Sequence, residues 1–520
     1  MGCPFLYNLS DTNNTIYTLV TRYSYMSYSI QHRTLHRWLL ILVVLIGTIA
    51  CTDERTFTTN PNHRLTFSTD TVAFDTLFTE VSSATYAFRI YNRNPADLRI
   101  LHATLAGGAS SPYRVNVDGM AGTTFSDLTL RKADSMYVFV EVTVDPRGQD
   151  TPFEVCDSLC FTLESGITQQ VILTASGQDA TVLRGTIIDT DTRFTATRPY
   201  LIYDSLCITD GATLYLDPGT RIFFADKVEM QIYGRIEAVG TMEYPITLRG
   251  ARTDRMFSYL PYDRLPAQWG GITLHESSYG NVLVHCDIHS GTYGLRVKGT
   301  GSDTQKVAMY NSQIHNVNLD ALQLTLSKGL FANSLFSNAG GHCVNILGGQ
   351  VDFLHCTIAN FFPWKGDRGE AVSITNYVAD TDSLYPLLGA NFINSIITGS
   401  KDDELTGTVV AKSDTADWSA YARYVFAHSL VNTKHDTRNP DTLHYVNIVW
   451  EHRDSTAYGS SHFRTIDHSN FIYDFHLDSL STARGIASPD YLDLIATDKD
   501  EQPRPITPDA GCYQYLILEE

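Results

Sequence analysis

His285-Cys286-Asp287-Ile288-His289-Ser290 is the stretch on which the reading of this 520-residue chain turns, because variants of it return five times downstream. They are Asn311-Ser312-Gln313-Ile314-His315-Asn316, Ala332-Asn333-Ser334-Leu335-Phe336-Ser337, His355-Cys356-Thr357-Ile358-Ala359-Asn360, Ile393-Asn394-Ser395-Ile396-Ile397-Thr398 and Ala427-His428-Ser429-Leu430-Val431-Asn432. With Ile288, Ile314, Leu335, Ile358, Ile396 and Leu430 as apolar anchors, the steps are 26, 21, 23, 38 and 34 residues. A period in the twenties that tolerates insertions marks a solenoid.

A second phrase keeps step with the first. Leu295-Arg296-Val297, Leu322-Gln323-Leu324, Val344-Asn345-Ile346 and Val372-Ser373-Ile374 alternate apolar with polar residues, as short strands with one buried face do. Each coil therefore carries at least two short strands, and like strands of successive coils stack in parallel about 4.8 Å apart. That arrangement is a parallel β-helix. The corners agree with it. Ser290, Asn316, Ser337, Asn360, Thr398 and Asn432 follow the anchors by two residues and could form a polar ladder, while the small residues Gly294, Ala321, Cys343 and Ala371 precede the second phrase.

On these repeats, residues 183–515 resemble the right-handed parallel β-helix proteins. Gly211-Ala212-Thr213-Leu214-Tyr215-Leu216-Asp217-Pro218-Gly219-Thr220 and Gln268-Trp269-Gly270-Gly271-Ile272 are similar to that family's opening coils. Asp498-Lys499-Asp500-Glu501-Gln502-Pro503-Arg504-Pro505, followed by Pro508-Asp509-Ala510-Gly511-Cys512-Tyr513, is similar to a closing motif of secreted members. The family includes lyases, hydrolases and non-enzymatic binders, so the resemblance implies a fold far more than an activity.

Residues 56–178 lack the period. Ala87-Phe88-Arg89-Ile90-Tyr91, Tyr113-Arg114-Val115-Asn116-Val117 and the run 136–144 alternate at sandwich spacing, punctuated by Asn-Pro and Asp-Pro turns. The expected fold class is thus all-β, an N-terminal sandwich followed by the solenoid. The order of strands resembles the immunoglobulin-like domains related to the ASPM/SPD-2/Hydin group, which implies a spacer or adhesion module.

At the N-terminus, Arg33, His36 and Arg37 precede the apolar run 38–46, which ends in Gly47-Thr48-Ile49-Ala50-Cys51. A basic segment, an apolar stretch too short to span a bilayer and a small residue before the cut describe a secretory signal at 26–50. Cys51 after Ala50 resembles the attachment site of a bacterial lipoprotein of Bacteroidetes type, although Thr48 stands where that pattern usually has Leu. The resemblance implies lipid attachment at Cys51, a tether at 51–55 and placement at the outer membrane or cell surface. Residues 1–25 fit no export signal, and translation is expected to start at Met26.

The 38 basic and 57 acidic residues leave a net charge of −19, which opposes binding to nucleic acid or an anionic membrane surface by charge alone. The nine cysteines do not read as a disulfide framework. Cys286 and Cys356 occupy equivalent positions three coils apart, about 14 Å at 4.8 Å per coil, beyond disulfide reach.

The pattern of ionisable residues is sparse. Arg296 and Lys298 point outward from one strand, as basic pairs do in β-helix enzymes acting on uronates, yet Gln323, Asn345 and Ser373 stand at the matching positions where carboxylates would be needed. His289 and His315 fall one coil apart, about 5 Å, with Phe336 expected above them. Two imidazoles do not make a zinc site, so no metal and no cofactor is expected. Were the protein an enzyme, Arg296, Lys298, His289 and His315 would be its candidate catalytic residues. The acidic runs Asp380-Thr381-Asp382 and Asp402-Asp403-Glu404 read as solvated loops.

The long steps require loops near 361–390 and 399–425. These carry Trp364, Tyr377, Tyr385, Trp418 and Tyr421, which are candidate ligand-binding residues because aromatic rings stack on sugar faces. The expected function is a lipid-anchored envelope protein whose β-helix binds an extended polymer, a glycan first among them, without cleaving it. A polysaccharide lyase or glycoside hydrolase and a structural or adhesive surface protein are the alternatives. The sequence fixes no oligomeric state.

Overall fold

The computed structural model describes residues 56–410, 418–434, 441–454 and 457–517. The expected signal at 26–50, Cys51 and the expected tether at 51–55 lie outside the described residues. Among the described residues, no helix is long and apolar enough to cross a membrane.

The chain first folds as a sandwich of two five-stranded sheets. One orders Thr66–Phe67, Tyr86–Tyr91, Ser135–Val142, Tyr113–Val117 and Met120–Gly122; the other orders Thr71–Phe78, Thr168–Gln178, Phe153–Leu163, Leu98–Leu105 and Thr124–Leu130. Alternation along each strand sends Phe88, Ile90, Val138 and Val140 inward to meet Ile100, Phe161, Val171 and Leu173. The sandwich abuts the solenoid through Phe78, whose ring lies edge-on to Phe223 at 4.8 Å.

From Thr181–Ile188 to Val449–Trp450 the chain winds as a parallel β-helix with three faces, one more than the two phrases require. Face A holds the first phrase: Cys286–His289, Gln313–Val317, Leu335–Ala339, Thr357–Asn360, Ile396–Gly399 and Leu430–Val431. Face B holds the second, with Leu295, Leu322, Val344, Val372 and Leu405 in register. Face C, unforeseen, contains Asn281–Val284, Val307–Tyr310 and Leu387–Ile393. Its inward rings Phe331, Phe353, Phe392 and Phe426 stack coil upon coil at 4.9, 4.7 and 4.7 Å.

The small corner residues act as expected. A Cβ on Gly294 would stand 2.2 Å from the Ala321 carbonyl oxygen and 2.3 Å from Ile314, so nothing larger fits. The other corner is set by backbone conformation. His285, Asn311, Asn333, His355, Asn394 and His428 all take left-handed φ values between 47° and 54°. Asn and His are among the side chains that tolerate this region. The next residues form a second ladder, in which Cys286 N–H donates to Ser312 Oγ at 2.9 Å, Cys356 N–H to Ser395 Oγ at 3.1 Å and Ser395 N–H to Ser429 Oγ at 2.9 Å. Cys286 and Cys356 are buried free thiols within this ladder.

These corners correct the register of face A. Ile314 pairs with Phe336, Phe336 with Ile358, Ile358 with Ile397, and Ile396 with Leu430. In three of the six phrases the inward anchor is therefore one residue later than expected: Phe336, Ile397 and Val431. The polar ladder moves with it, so that Asn338 rather than Ser337 donates to Asn316 Oδ1, at 3.3 Å. A one-residue slip exchanges inward and outward positions. It escaped the sequence because Leu335, Ile396 and Leu430 are as apolar as the residues that follow them.

Their burial has a separate cause. Residues beyond 462 do not add a coil but cross the outside of face A, where Phe463, Phe475, Leu477, Ala510, Cys512 and Tyr513 pack over Leu335, Ile396 and Leu430. The cover includes the antiparallel hairpin Phe463–Asp467/Ile472–Leu477. Gly511, at φ 93°, lies so close that a Cβ would stand 2.7 Å from both Ile396 Cδ1 and Thr357 Oγ1.

One residue of an expected surface loop is internal, although Asp402 nearby is exposed. Glu404 is fully buried, receives Arg368 at 2.6 Å and accepts the N–H groups of Ala371 and Lys401. Breaking the chain out of the coil at 361–371 exposes backbone donors at the corner, and this carboxylate satisfies them.

Candidate functional site

The cover ends before face A does. Below Leu335, the outward positions of two coils remain open and form the floor of a cleft: Asp287 and His289 on one strand, Gln313 and His315 on the next. Its walls are Asp263 and Arg264 from the loop after Ile246–Gly250, and Phe471, Ile472, Tyr473 and Phe475 from the hairpin. Arg264 Nη1 donates to the Asn470 carbonyl at 3.0 Å and ties the walls together.

Strand alternation builds the cluster. Ile288 and Ile314 point inward, so their neighbours at 287, 289, 313 and 315 all project from the same outer face. The His289 and His315 rings stack with centroids 4.9 Å apart, close to the spacing expected from the coil step. Between them lies Asp287, whose Oδ1 is 2.9 Å from His289 Nδ1 and 3.0 Å from His315 Nε2. Trp269 holds the backbone beneath by donating from its indole Nε1 to the His289 carbonyl at 2.8 Å.

Burial opposes ionisation of Asp287, but the two imidazoles outweigh it and hold the carboxyl well below its usual range. Burial pulls His289 down, with Asp287 acting against it. The pair at neutral pH is thus a carboxylate beside a neutral imidazole. Along the same outward row, Arg249 precedes His289 and pairs with Asp263 at 3.2 Å. Ser337, not Phe336, follows His315. Ser337 is fully buried, yet its Oγ has no hydrogen-bond partner; Asp263 Oδ1 is likewise unpartnered.

The coil step brings the two histidines together, and a metal site needs a third ligand. Asp287, two residues before His289 and therefore on the same face, is that third donor, and the alternation of Asp287-Ile288-His289 carried the signal. Asp287, His289 and His315 converge with one ligand atom each within 4.8 Å of one another. Phe471 and Tyr473 could not have been found this way, since they reach the cleft from more than 150 residues downstream.

The other candidates separate. Arg296 is engaged with Glu229, a carboxylate from two coils earlier, at 2.9 Å and with Thr273 Oγ1 at 3.1 Å. Lys298 is exposed on the same strand, on face B. Trp364 stands at the corner between faces A and B and stacks on Phe471 at 4.4 Å. Tyr377, Tyr385 and Tyr421 gather instead near the corner between faces B and C, where Asn376 Nδ2 donates to the Tyr421 carbonyl at 3.0 Å and Tyr377 hydrogen-bonds Asp382 at 2.7 Å. Trp418 opens the short 3-10 helix Trp418–Tyr421, and its side chain lies outside the described residues. Phe361 and Phe362, from the same expected loop as Trp364, are buried and cover core.

No family model matches the chain, and no curated protein matches it. Solved structures give partial likenesses. A Porphyromonas gingivalis W83 protein of unknown function is 16% identical over 24% of this chain and 60% of its own, with a TM-score of 0.17. The PapD-like domain 7 of human CEP192 is 13% identical over 25% of this chain and 95% of its own, at 0.16. A family 123 glycoside hydrolase from Clostridium perfringens is 9% identical over 22% of this chain and 25% of its own, also at 0.16. At such scores these likenesses carry no argument about what the chain does.

Proposed function

We propose that this protein is a lipid-anchored binding module of the cell envelope, in which the sandwich serves as a stalk and the open part of face A binds an extended polymer, with a glycan as the first candidate. The supporting observation is the composition of the cleft. Planar polar side chains at Gln313, Asn316 and Asn338 form its floor, and Phe471 and Tyr473 stand at its wall with Trp364 stacked behind. Sugar recognition uses this combination of amide groups for hydroxyls and ring faces for C–H surfaces. Arg296, the leading candidate for uronate chemistry, is held in an ion pair with Glu229 on another face.

The test is retention of the chain produced from residue 52 onward, without the apolar segment and Cys51, on an array of neutral and uronate-containing glycans. Binding that drops on Phe471→Ala or Gln313→Ala supports the reading; absence of retention on every glycan refutes it. Incubation with the retained polymer should leave it intact. New unsaturated or reducing ends, lost in Arg296→Ala, would establish a lyase or hydrolase in its place.

A further inference from the structure

The geometry points to a divalent transition-metal site at Asp287, His289 and His315, of the class that takes zinc, with an open coordination position toward the face A cleft. This site is independent of the glycan reading. Zinc binds imidazole nitrogen and carboxylate oxygen at about 2.0–2.2 Å, so two donors on one ion at right to tetrahedral angles lie roughly 3.0–3.4 Å apart. The separations of Asp287 Oδ1 from His289 Nδ1 and His315 Nε2, 2.9 and 3.0 Å, stand at the lower edge of that range before any ion draws the groups into place. Two imidazoles with one carboxylate are a donor set that suits zinc and its neighbours in the first transition row.

Without metal, the carboxylate accepts an N–H from each ring. Metal binding requires the proton to leave the nitrogen of each ring that faces Asp287, which frees Nδ1 of His289 and Nε2 of His315 as ligands. The cluster is held rigidly: both histidines lie on paired strands of adjacent coils, and Trp269 fixes the His289 carbonyl from inside.

A second observation is independent of the three ligands. Ser337 is fully buried, one coil beyond His315 in the same outward row and among the residues bordering the cleft, and its hydroxyl has no partner. Buried hydroxyls are rarely left so, and an unpartnered one beside three converging ligand atoms calls for an occupant. A water or ligand oxygen completing the metal's coordination would serve both.

The experiment is zinc uptake by the purified chain produced from residue 52 onward, after chelator treatment, measured by equilibrium dialysis, with cobalt as a spectroscopic substitute. One equivalent should bind, cobalt should give ligand-field bands, and Asp287→Asn and His315→Ala should each weaken uptake by more than roughly tenfold. His444→Ala, on another part of the surface, should leave uptake unchanged. Melting in chelator that matches the parent shows that a variant has folded; should His315→Ala fail this, His315→Gln replaces it. No uptake by the parent chain, or uptake undiminished in folded Asp287 and His315 variants, overturns the site.

Discussion

The Arg504 guanidinium donates to Asn333 Oδ1 at 2.8 Å and so fastens the closing segment to a left-handed corner of the solenoid. The same group reaches the carbonyls of Gly511 at 3.0 Å and of Thr497 and Asp509 at 3.3 Å, while Asn333 Nδ2 returns a bond to the Thr497 carbonyl at 2.7 Å. Burial lowers Arg504 to about 10, which leaves it charged at neutral pH.

Loss of this cation strands several buried acceptors at once. Arg504→Met should therefore destabilise the cover by about 1.5–3 kcal/mol, the usual range for charge-assisted bonds. Limited proteolysis is the measurement: cleavage within 463–513 should accelerate while fragments of the solenoid persist. Unchanged cleavage would show that the cover is held by its apolar contacts alone.

The corrected register makes Phe336 an inward residue, in edge contact with Phe331 at 5.8 Å and Phe353 at 6.1 Å. Truncating it opens a cavity between stacked coils. Phe336→Ala should cost about 3–5 kcal/mol, whereas the outward Gln313→Ala should stay within about 0.5. Chemical denaturation distinguishes the two, and equal midpoints would return the register to Leu335.

Acidity should tune the cover through His476. Burial alone would lower this imidazole, but hydrogen bonds to Asp500, at 2.7 Å, and Asp474 outweigh it and raise its pKa; His476 in turn holds Asp500 below the ordinary carboxylate value. A raised histidine stabilises fully below its unfolded pKa of about 6.5 and loses that contribution as pH rises through the folded value. A depressed carboxylate stabilises above about 3.9 and loses its contribution as pH falls through its own folded value. The latch should be strongest between about pH 4 and 6.5. Thermal melts of the parent and His476→Gln should differ most in that window and converge in alkali; a constant difference would exclude titration of this group.

Anchoring is tested at Cys51. Cys51→Ser should leave a precursor of unprocessed size that takes up no fatty-acid analogue, whereas the parent is shortened and labelled. Incorporation of a fatty-acid analogue that is equal in both proteins would place the anchor elsewhere.

Face B was legible residue by residue, because Leu295, Leu322, Val344 and Val372 each stand between a small residue and a polar one and only one register buries them all. Face A was legible only where one large apolar residue stands alone, at Ile288, Ile314 and Ile358. Where Leu335-Phe336, Ile396-Ile397 and Leu430-Val431 present two apolar residues in succession, alternation carries no phase. The left-handed residues at 333, 394 and 428 would have restored it, had the corner been read from Asn and His rather than from the apolar anchor.

By itself the sequence determined an all-β chain with a sandwich and a parallel solenoid, and the meeting of His289 with His315, since these follow from local alternation and a repeated step. Only the tertiary structure decided that a segment from beyond residue 462 covers face A from Leu335 to Leu430, that Glu229 neutralises Arg296, and that the cover stops at Leu335 to leave a cleft over Asp287. Each of these depends on contacts between residues distant in the chain, and a period computed along the chain contains no information about what is laid across it.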